Sequence, residues 1–377
     1  MKLTDEQRML QETAREFAQK ELAPGAAERD REGRFPKEAL AELGRLGFMG
    51  MLVPPEYGGA GADHVGYALV MEEIAAAEGA TATILSVNTL CCGAVLRYGS
   101  EEQKRRFLAP MAKGEMLTAF ALTEPQAGSD AAAIKTRARR HGNSWVLNGT
   151  KQFITTGKNA DLALVFAVSD PERGKRGIGA FLVPTDSPGY KVARLEEKLG
   201  QRASDTAQLV FEDLEVRPDQ MLGAEGEGYK IALSNLEGGR IGIAAQSLGM
   251  ARAAWEAALS YARERETFGK KLIEHQAVAF KLADMATGIA AARGLVLDAA
   301  ERRDAGEPCV KEASMAKLFA SEMAERVASE AIQIHGGYGY LADFPVERIY
   351  RDVRVCQIYE GASEVQRLLI AREIAKS

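Results

Sequence analysis

The chain has 377 residues, 46% of them hydrophobic, with 48 basic side chains against 53 acidic ones and a net charge of −5. A chain this long outgrows a single core, so two or three domains are expected. The acidic balance argues against general affinity for nucleic acid or insertion in an anionic membrane.

Met1-Lys-Leu-Thr-Asp-Glu-Gln has neither a basic head with an apolar stretch nor an Arg-rich, acid-poor presequence, which predicts a cytoplasmic protein, the alternative being a mitochondrial-matrix protein whose presequence was removed. Thr4 and Gln7 form a capping box for a first helix. Its apolar face, Leu10, Ala14, Phe17 and Ala18, is expected to end at Pro24, and Pro36 to open the next helix ahead of Leu40, Leu43 and Leu46. Val53-Pro-Pro-Glu-Tyr-Gly-Gly-Ala-Gly61 reads as a compact loop. Ala82 to Leu96 is apolar but interrupted by Ser86, Asn88 and Thr89, shorter than a membrane span, and is expected to be a buried helix. Ser100 and Gln103 cap a helix from Glu101 to Lys113. Cys91, Cys92, Cys309 and Cys356 show no metal or redox spacing and read as buried thiols, and the four scattered histidines predict no metal site.

From Leu117 the period becomes alternating. Strands are predicted at 135–140, 145–147, 153–156, 162–168, 179–183 and 208–216, with hairpin signals at Gly142-Asn143 and Asn148-Gly149. After Gly228 helical periodicity returns, with Ile241, Ala244, Leu248, Ala251, Trp255, Ala258 and Ala262 on one stripe. Met315, Leu318, Phe319, Met323, Val327, Ala331 and Ile334 form another. The expected fold class is therefore α+β: an N-terminal helical domain (1–120), a middle antiparallel β-barrel or sandwich (121–231), and a C-terminal four-helix-bundle-like domain (232–377).

Gln357-Ile-Tyr-Glu-Gly-Ala-Ser-Glu-Val-Gln-Arg367 offers one carboxylate, Glu360, after an extended apolar approach and before a helix that Ser363 and Gln366 are expected to cap. Glu360 reads either as a general base raised in pKa by desolvation or as a solvated acid before a helix. Phe120-Ala-Leu-Thr-Glu-Pro-Gln-Ala-Gly-Ser-Asp130 supplies two hydroxyls and a glycine through which backbone N–H groups can approach a ligand. The alternative there is an ordinary turn. Arg263-Glu-Arg265-Glu-Thr-Phe268-Gly269 fits either a pyrophosphate contact or a solvated helix end. Gln333-Ile-His-Gly-Gly-Tyr-Gly339 follows a helix, so a glycine C-cap is the default over a Rossmann turn.

Taken together, in order and over essentially the whole chain, these stretches resemble the acyl-CoA dehydrogenase family. The resemblance also rests on Pro55 to Gly61, Phe153-Ile-Thr155, Gly239-Arg240-Ile241 and His275-Gln276. It implies FAD as cofactor, a homotetramer built as a dimer of dimers, an acyl-CoA substrate, and an electron-transferring flavoprotein as partner. On this resemblance Phe120, Leu122, Thr123, Gly128, Ser129, Phe153, Ile154 and Thr155 lie along the flavin. Arg265, Phe268, Gln276, Gln333, Ile334, Gly336 and Gly337, partly from a neighbouring subunit, hold its ribityl and ADP parts, with Ala362 and Glu364 also on the cofactor. Ser129, Glu237, Arg240 and Gly361 fall on the substrate. Glu360 falls on the base that takes the α-proton while flavin N5 takes the β-hydrogen as hydride.

Some members place the base just before the arginine equivalent to Arg240. Here that residue is Gly239, which favours Glu360 and a short, butyryl-like substrate, with 2-methyl branching also compatible. Three residues depart from the usual pattern: Ala362 for threonine, Phe153 for tryptophan, and Glu237 for aspartate or asparagine. Other chain lengths, aromatic or dicarboxylic acyl groups, a flavin oxidase and a non-catalytic acyl-CoA or flavin scaffold are the alternatives.

Overall fold

A computed structural model describes residues 2–376, and the side chain of Glu237 lies outside the described residues. The first block comprises α1 Asp5–Phe17, α2 Ala23–Glu32, α3 Lys37–Arg45, α4 His64–Ala77, α5 Gly79–Tyr98, α6 Glu101–Gln103 and α7 Ala109–Ala112. Both predicted capping boxes, Thr4 with Gln7 and Ser100 with Gln103, form. Pro36 is the N-cap of α3 and not its first residue.

Pro24 does not end the first helix. A π-turn, Ala18–Leu22, precedes it, and the Ala23 N–H reaches back to the Ala18 carbonyl, so the chain runs helically into α2. A second π-turn, Lys104–Leu108, stands before Pro110 in the same way. The wider i to i+5 turn relieves the clash that a proline ring makes with an ordinary helix. Helix α5 is longer than expected: its 20 residues pass a membrane test by length and apolarity, but 83% of the apolar window is buried inside the protein.

The middle block is one sheet of β1 Thr118–Ala121, β2 Arg137–His141, β3 Ser144–Thr155, β4 Leu162–Val168, β5 Ile178–Pro184, β6 Tyr190–Leu195, β7 Thr206–Val216 and β8 Met221–Leu222. Their order is β6-β7-β3-β2-β4-β5-β8, with β1 also on β4. The sheet is not purely antiparallel, because β1 pairs parallel to β4 from Thr118 opposite Leu162. β1 enters from the helical block instead of through a hairpin, which frees it from antiparallel pairing.

Strand β4 shows why its sequence reads clearly. Leu162, Leu164 and Phe166 pack against α5 and the segment around Phe107 and Met111, while Ala163, Val165 and Ala167 face the interior of the folded sheet. A strand covered on both faces is a continuous apolar run. Gly142-Asn143 makes the predicted β2–β3 hairpin. Asn148-Gly149 does not turn the chain; it marks a bulge inside β3, which joins two predicted strands into one. At Gly149, with φ 153°, a Cβ atom would lie 2.6 Å from Thr136 Oγ1, so only glycine lets the two segments approach.

The last block comprises α8 Gly228–Glu264, the small hairpin β9 Glu266–Thr267 and β10 Lys270–Lys271, α9 Gln276–Asp304, α10 Val310–His335, α11 Pro345–Val353 and α12 Ser363–Ile374. Its helices share one continuous core with α1, α3, α4 and α5, so the two helical blocks are a single packed unit to which the sheet is attached. The predicted α8 stripe is buried, with Trp255 half-buried and its Nε1–H donating to the Leu282 carbonyl at 3.0 Å. The α10 stripe is buried as expected from Met323 through Val327 and Ala331 to Ile334, but in its first turns Ala313, Ala316, Lys317 and Ala320 are buried while Met315, Leu318 and Phe319 are only partly covered. Small residues bring α10 close to its neighbours, a contact that a search for bulky apolar stripes overlooks.

One buried ion pair supports the loop after β1. Lys151 Nζ lies 2.8 Å from Glu124 Oε1 and donates to the Leu122 carbonyl at 3.0 Å, and both charged side chains are almost wholly buried. Burial pulls Glu124 up, but the Lys151 ammonium and its hydrogen bonds prevail and bring it down to about 2. Stability from this carboxylate is therefore present above the ordinary carboxylate range and lost as pH falls toward 2. Glu124→Gln strands a buried ammonium and is expected to cost about 3–5 kcal/mol, with a shallower acid limb of stability than the parent in urea titrations over pH.

Candidate active site

The predicted site residues fall into three groups. The first surrounds Glu360. The segment before it is a 3₁₀ turn, Arg354–Gln357, running on from α11, and not the extended approach expected. Glu360 and Gly361 then take consecutive left-handed conformations, with φ of 53° and 91°. For glutamate this is a strained backbone, and strain of this kind has to be held by its surroundings.

Two side chains hold it. Lys317 Nζ donates to the Gly361 carbonyl at 2.7 Å, and Gln366 Nε2 donates to the same oxygen at 2.8 Å. This overturns the expected capping box: Ala362 is the N-cap of α12, Ser363 is its first residue, and Gln366 reaches back to the Glu360–Gly361 turn instead of to a cap N–H. Gln366 Oε1, the atom a capping box would use as acceptor, is buried with no partner among the described residues.

The carboxylate is turned toward α8. A Cβ atom at Gly239 would lie 2.8 Å from Glu360 Oε2, so the glycine leaves the space that this carboxylate occupies. Oε2 is inaccessible to solvent and has no hydrogen-bond partner among the described residues. Burial raises the Glu360 pKa, and the charges of Arg240 and Lys317 pull against that rise. A carboxylate that is desolvated, unpartnered at one oxygen and raised toward neutrality is poised to accept a proton. Arg240 is buried beside it, on the inner side of α8. Gly361 and Ala362 are half-buried, and Glu364 is exposed on the first turn of α12.

Behind Glu360 runs a buried hydrogen-bond relay. The Tyr359 hydroxyl donates to Gln246 Oε1 at 2.9 Å, and Gln246 Nε2 donates to Thr83 Oγ1 at 2.7 Å. Thr83 donates in turn to Gln201, whose backbone N–H and side chain bond Asp352. Lys317 and this relay escape sequence reading, which places Gln366 only as a cap. The available signal was a lone lysine on the small-residue face of α10.

The second group lies at one end of the sheet. The Gln152 N–H donates to the Thr123 carbonyl at 2.9 Å, which brings the Thr123–Ser129 loop beside the end of β3. Phe153 sits on a bulge between Lys151 and Ile154 with φ 58° and is 64% exposed. Thr123 and Thr155 are half-buried, while Gly128 and Ser129 are exposed. The side chains of Leu122 and Ile154 belong to the cores, and Phe120 leans on Phe166 at 4.9 Å, so Leu122 and Ile154 can offer a ligand only backbone.

The third group gathers around the far ends of α8 and α10. Arg265 is the C-cap of α8, its guanidinium 5.7 Å from the Tyr338 ring, and Phe268 packs edge-on at 6.3 Å from His275, next to Gln276. Gln333 is exposed in the last turn of α10 and Gly336 and Gly337 are exposed just past it, with open space around both glycines, while the Ile334 side chain is buried in the core.

These groups match a known architecture. The acyl-CoA dehydrogenase N-terminal, middle and C-terminal domain profiles match residues 4–115, 119–214 and 226–375. The chain is 48% identical to the mitochondrial short-chain specific acyl-CoA dehydrogenase of Bos taurus, over 100% of this chain and 92% of that one. The chain belongs to the acyl-CoA dehydrogenase family. Butyryl-CoA dehydrogenase from Megasphaera elsdenii superposes with a TM-score of 0.98 at 43% identity, covering 100% of this chain and 99% of that one. A chain from a structural study of the electron-transferring flavoprotein of Acidaminococcus fermentans does so with a TM-score of 0.99 at 45% identity, covering 100% of both.

The family is FAD-dependent, and a glutaryl-CoA dehydrogenase of Mycobacterium smegmatis, TM-score 0.94 and 34% identical over 100% of this chain and 96% of that one, is solved with FADH2. The residues present suit that cofactor. The second group offers an exposed aromatic, hydroxyls and free backbone for a planar ring, and a buried Thr156 Oγ1 nearby has no partner among the described residues. The third offers an exposed arginine and two unobstructed glycines for a pyrophosphate.

Gly239→Ala is expected to displace the Glu360 carboxylate while the helix persists. Turnover should fall by roughly tenfold or more with the melting temperature nearly kept, a split that kinetics and calorimetry on one preparation will show.

Proposed function

We propose that this protein removes the α- and β-hydrogens of a short-chain, butyryl-like acyl-CoA to give the trans-2-enoyl-CoA, with Glu360 as the α-proton base. The observation that carries this reading is the Glu360 carboxylate itself: shielded, raised in pKa, and aimed at the space that Gly239 leaves open on α8. When bound, FAD supplies the acceptor for the β-hydrogen as hydride. The chain's own work is to orient the thioester, exclude water from the α-carbon, and take its proton onto a Glu360 oxygen.

The short-chain preference is supported by the volume behind the base. Gly239 borders Leu90, and at Gly242, one α8 turn further, a Cβ atom would lie 2.6 Å from the Tyr67 hydroxyl. Tyr67 is almost fully buried, with Ser86 close by, so this side of the site is filled by protein. A two- to four-carbon acyl group, with or without a 2-methyl branch, suits that closed end better than a long one.

Assembly as a homotetramer is supported by the placement of the third group. From Gly239 to Arg265 along α8 is about 39 Å at ~1.5 Å per residue, farther than one dinucleotide spans from a flavin beside Glu360. Arg265, Phe268, Gln276 and Gln333 to Gly337 therefore serve the FAD of a neighbouring copy. Apolar side chains left open at this end, with Phe268 94% and Tyr340 85% exposed, suit burial against such a copy. An electron-transferring flavoprotein as electron acceptor is supported by the near-identical fold of the Acidaminococcus fermentans chain.

Anaerobic titration with butyryl-CoA should bleach the bound flavin in the native protein. Glu360→Gln should keep flavin and acyl-CoA binding and lose reduction by roughly 10²-fold or more. Unchanged reduction would remove Glu360 from the base role, and a flavin reduced only by longer thioesters would overturn the short-chain reading. Charged substitutions on two exposed apolar helix positions, Phe280→Asp with Leu368→Asp, test assembly by sedimentation and absorbance. Smaller particles should carry less FAD; a monomer with full FAD content would count against shared sites.

A further inference from the structure

Lys317 lies on the small-residue face of α10 with its side chain fully buried, among Ala313, Ala316 and Ala320. A lysine in such surroundings is costly unless its charge has a partner or a task. Its ammonium donates to the Gly361 carbonyl at 2.7 Å, the oxygen that also accepts from Gln366 at 2.8 Å. That carbonyl belongs to the second of two consecutive left-handed residues, and the first of them carries the base.

We propose that Lys317 is a positioning residue for proton abstraction: its ammonium pins the Gly361 carbonyl, holds Glu360 in the turn that aims its carboxylate at Gly239, and keeps that carboxylate ionised until substrate arrives. This rests on the reading of Glu360 as the base. The groups facing Lys317 are Cys356, Glu360, Arg240 and Glu364. Burial lowers its pKa to about 8, against the pull of Cys356 and Glu360. In the reaction Lys317 keeps its own protons. The α-proton passes from the thioester to Glu360, the carboxylate charge is lost, and the electron pair of the broken C–H bond stays with the substrate carbon.

The two contributions separate by substitution in the FAD-loaded enzyme. Lys317→Met removes both the hydrogen bond and the charge, and Lys317→Gln restores a donor without the charge. In stopped-flow reduction by butyryl-CoA across pH, both variants should move the acid limb up by about 1 to 3 pH units. Lys317→Met should also lower the plateau rate by roughly tenfold or more, while Lys317→Gln recovers most of it and KM changes little in either. Variants that fold and hold FAD with an unmoved acid limb would overturn the proposal, as would equal losses in both without any shift. If neither variant folds, the native enzyme decides. Its acid limb should lie below about pH 7, because the Lys317 ammonium holds Glu360 ionised there against its burial. An acid limb above neutrality would overturn the proposal. Glu360→Gln run alongside keeps the two readings apart, because full activity there sinks the base assignment whatever the lysine variants do.

Discussion

Everything at this site depends on the buried polar relay that binds three parts of the chain behind Glu360. Thr83 on α5, Gln201 between β6 and β7, Gln246 on α8, Asp352 on α11 and Tyr359 beside Glu360 are joined by hydrogen bonds, and each comes from a different element. None of these contacts is local in sequence, so the relay completes itself only when both helical blocks and the sheet are docked. Apolar burial alone would hold the blocks together without fixing their register. Buried polar groups add that register, because each lost partner leaves a desolvated donor or acceptor at a cost of about 1–3 kcal/mol. Asp352 shows the tension: burial raises it to about 6, and the Gln201 N–H and Arg348 offset part of that rise.

On this frame the Glu360 carboxylate is placed by subtraction as much as by contact. Gly239 provides the volume for the carboxylate, Gly242 lets α8 approach Tyr67, and at Gly249 a Cβ atom would lie only 2.1 Å from the Glu72 carbonyl. These three glycines on α8 draw that helix against α4 and against the turn at Glu360. Arg252 and the buried Glu72 and Glu73 tie the same helices electrostatically, with Arg15 closing the group from α1. A larger residue at Gly239 would compete with the Glu360 carboxylate for one space.

Much of this was legible in the sequence where the physical signal is local. Capping boxes at Thr4 and Ser100, the two-faced apolar run of β4 and the Gly142-Asn143 hairpin all rest on neighbouring residues. Reading failed where a residue's role is set by a distant partner. Asn148-Gly149 has a hairpin's composition but bulges because Thr136 lies against it. Gln366 has a cap's spacing but serves the Gly361 carbonyl. Pro24 looks like a helix stop until a π-turn absorbs it. Glu360 itself was legible through the motif around it, whereas Lys317 was hidden because its importance comes from the peptide it meets across the bundle.

The electrostatics of the site follow from that meeting. A glutamate buried alone would hold its proton at neutral pH and could not act as a base, and one beside unscreened cations would ionise so readily that it accepted no proton from a weak carbon acid. Here burial pushes Glu360 one way while Arg240 and Lys317 push the other. Burial lowers the Lys317 pKa to about 8, still above neutrality, so its ammonium is present to counter the desolvation of Glu360. The proton affinity of the base is thus a balance between the depth of the cleft and two cations carried on separate helices, α8 and α10. Those helices are held in register by one continuous core, so the space beside Glu360 and the proton affinity of its carboxylate are set by one packing arrangement.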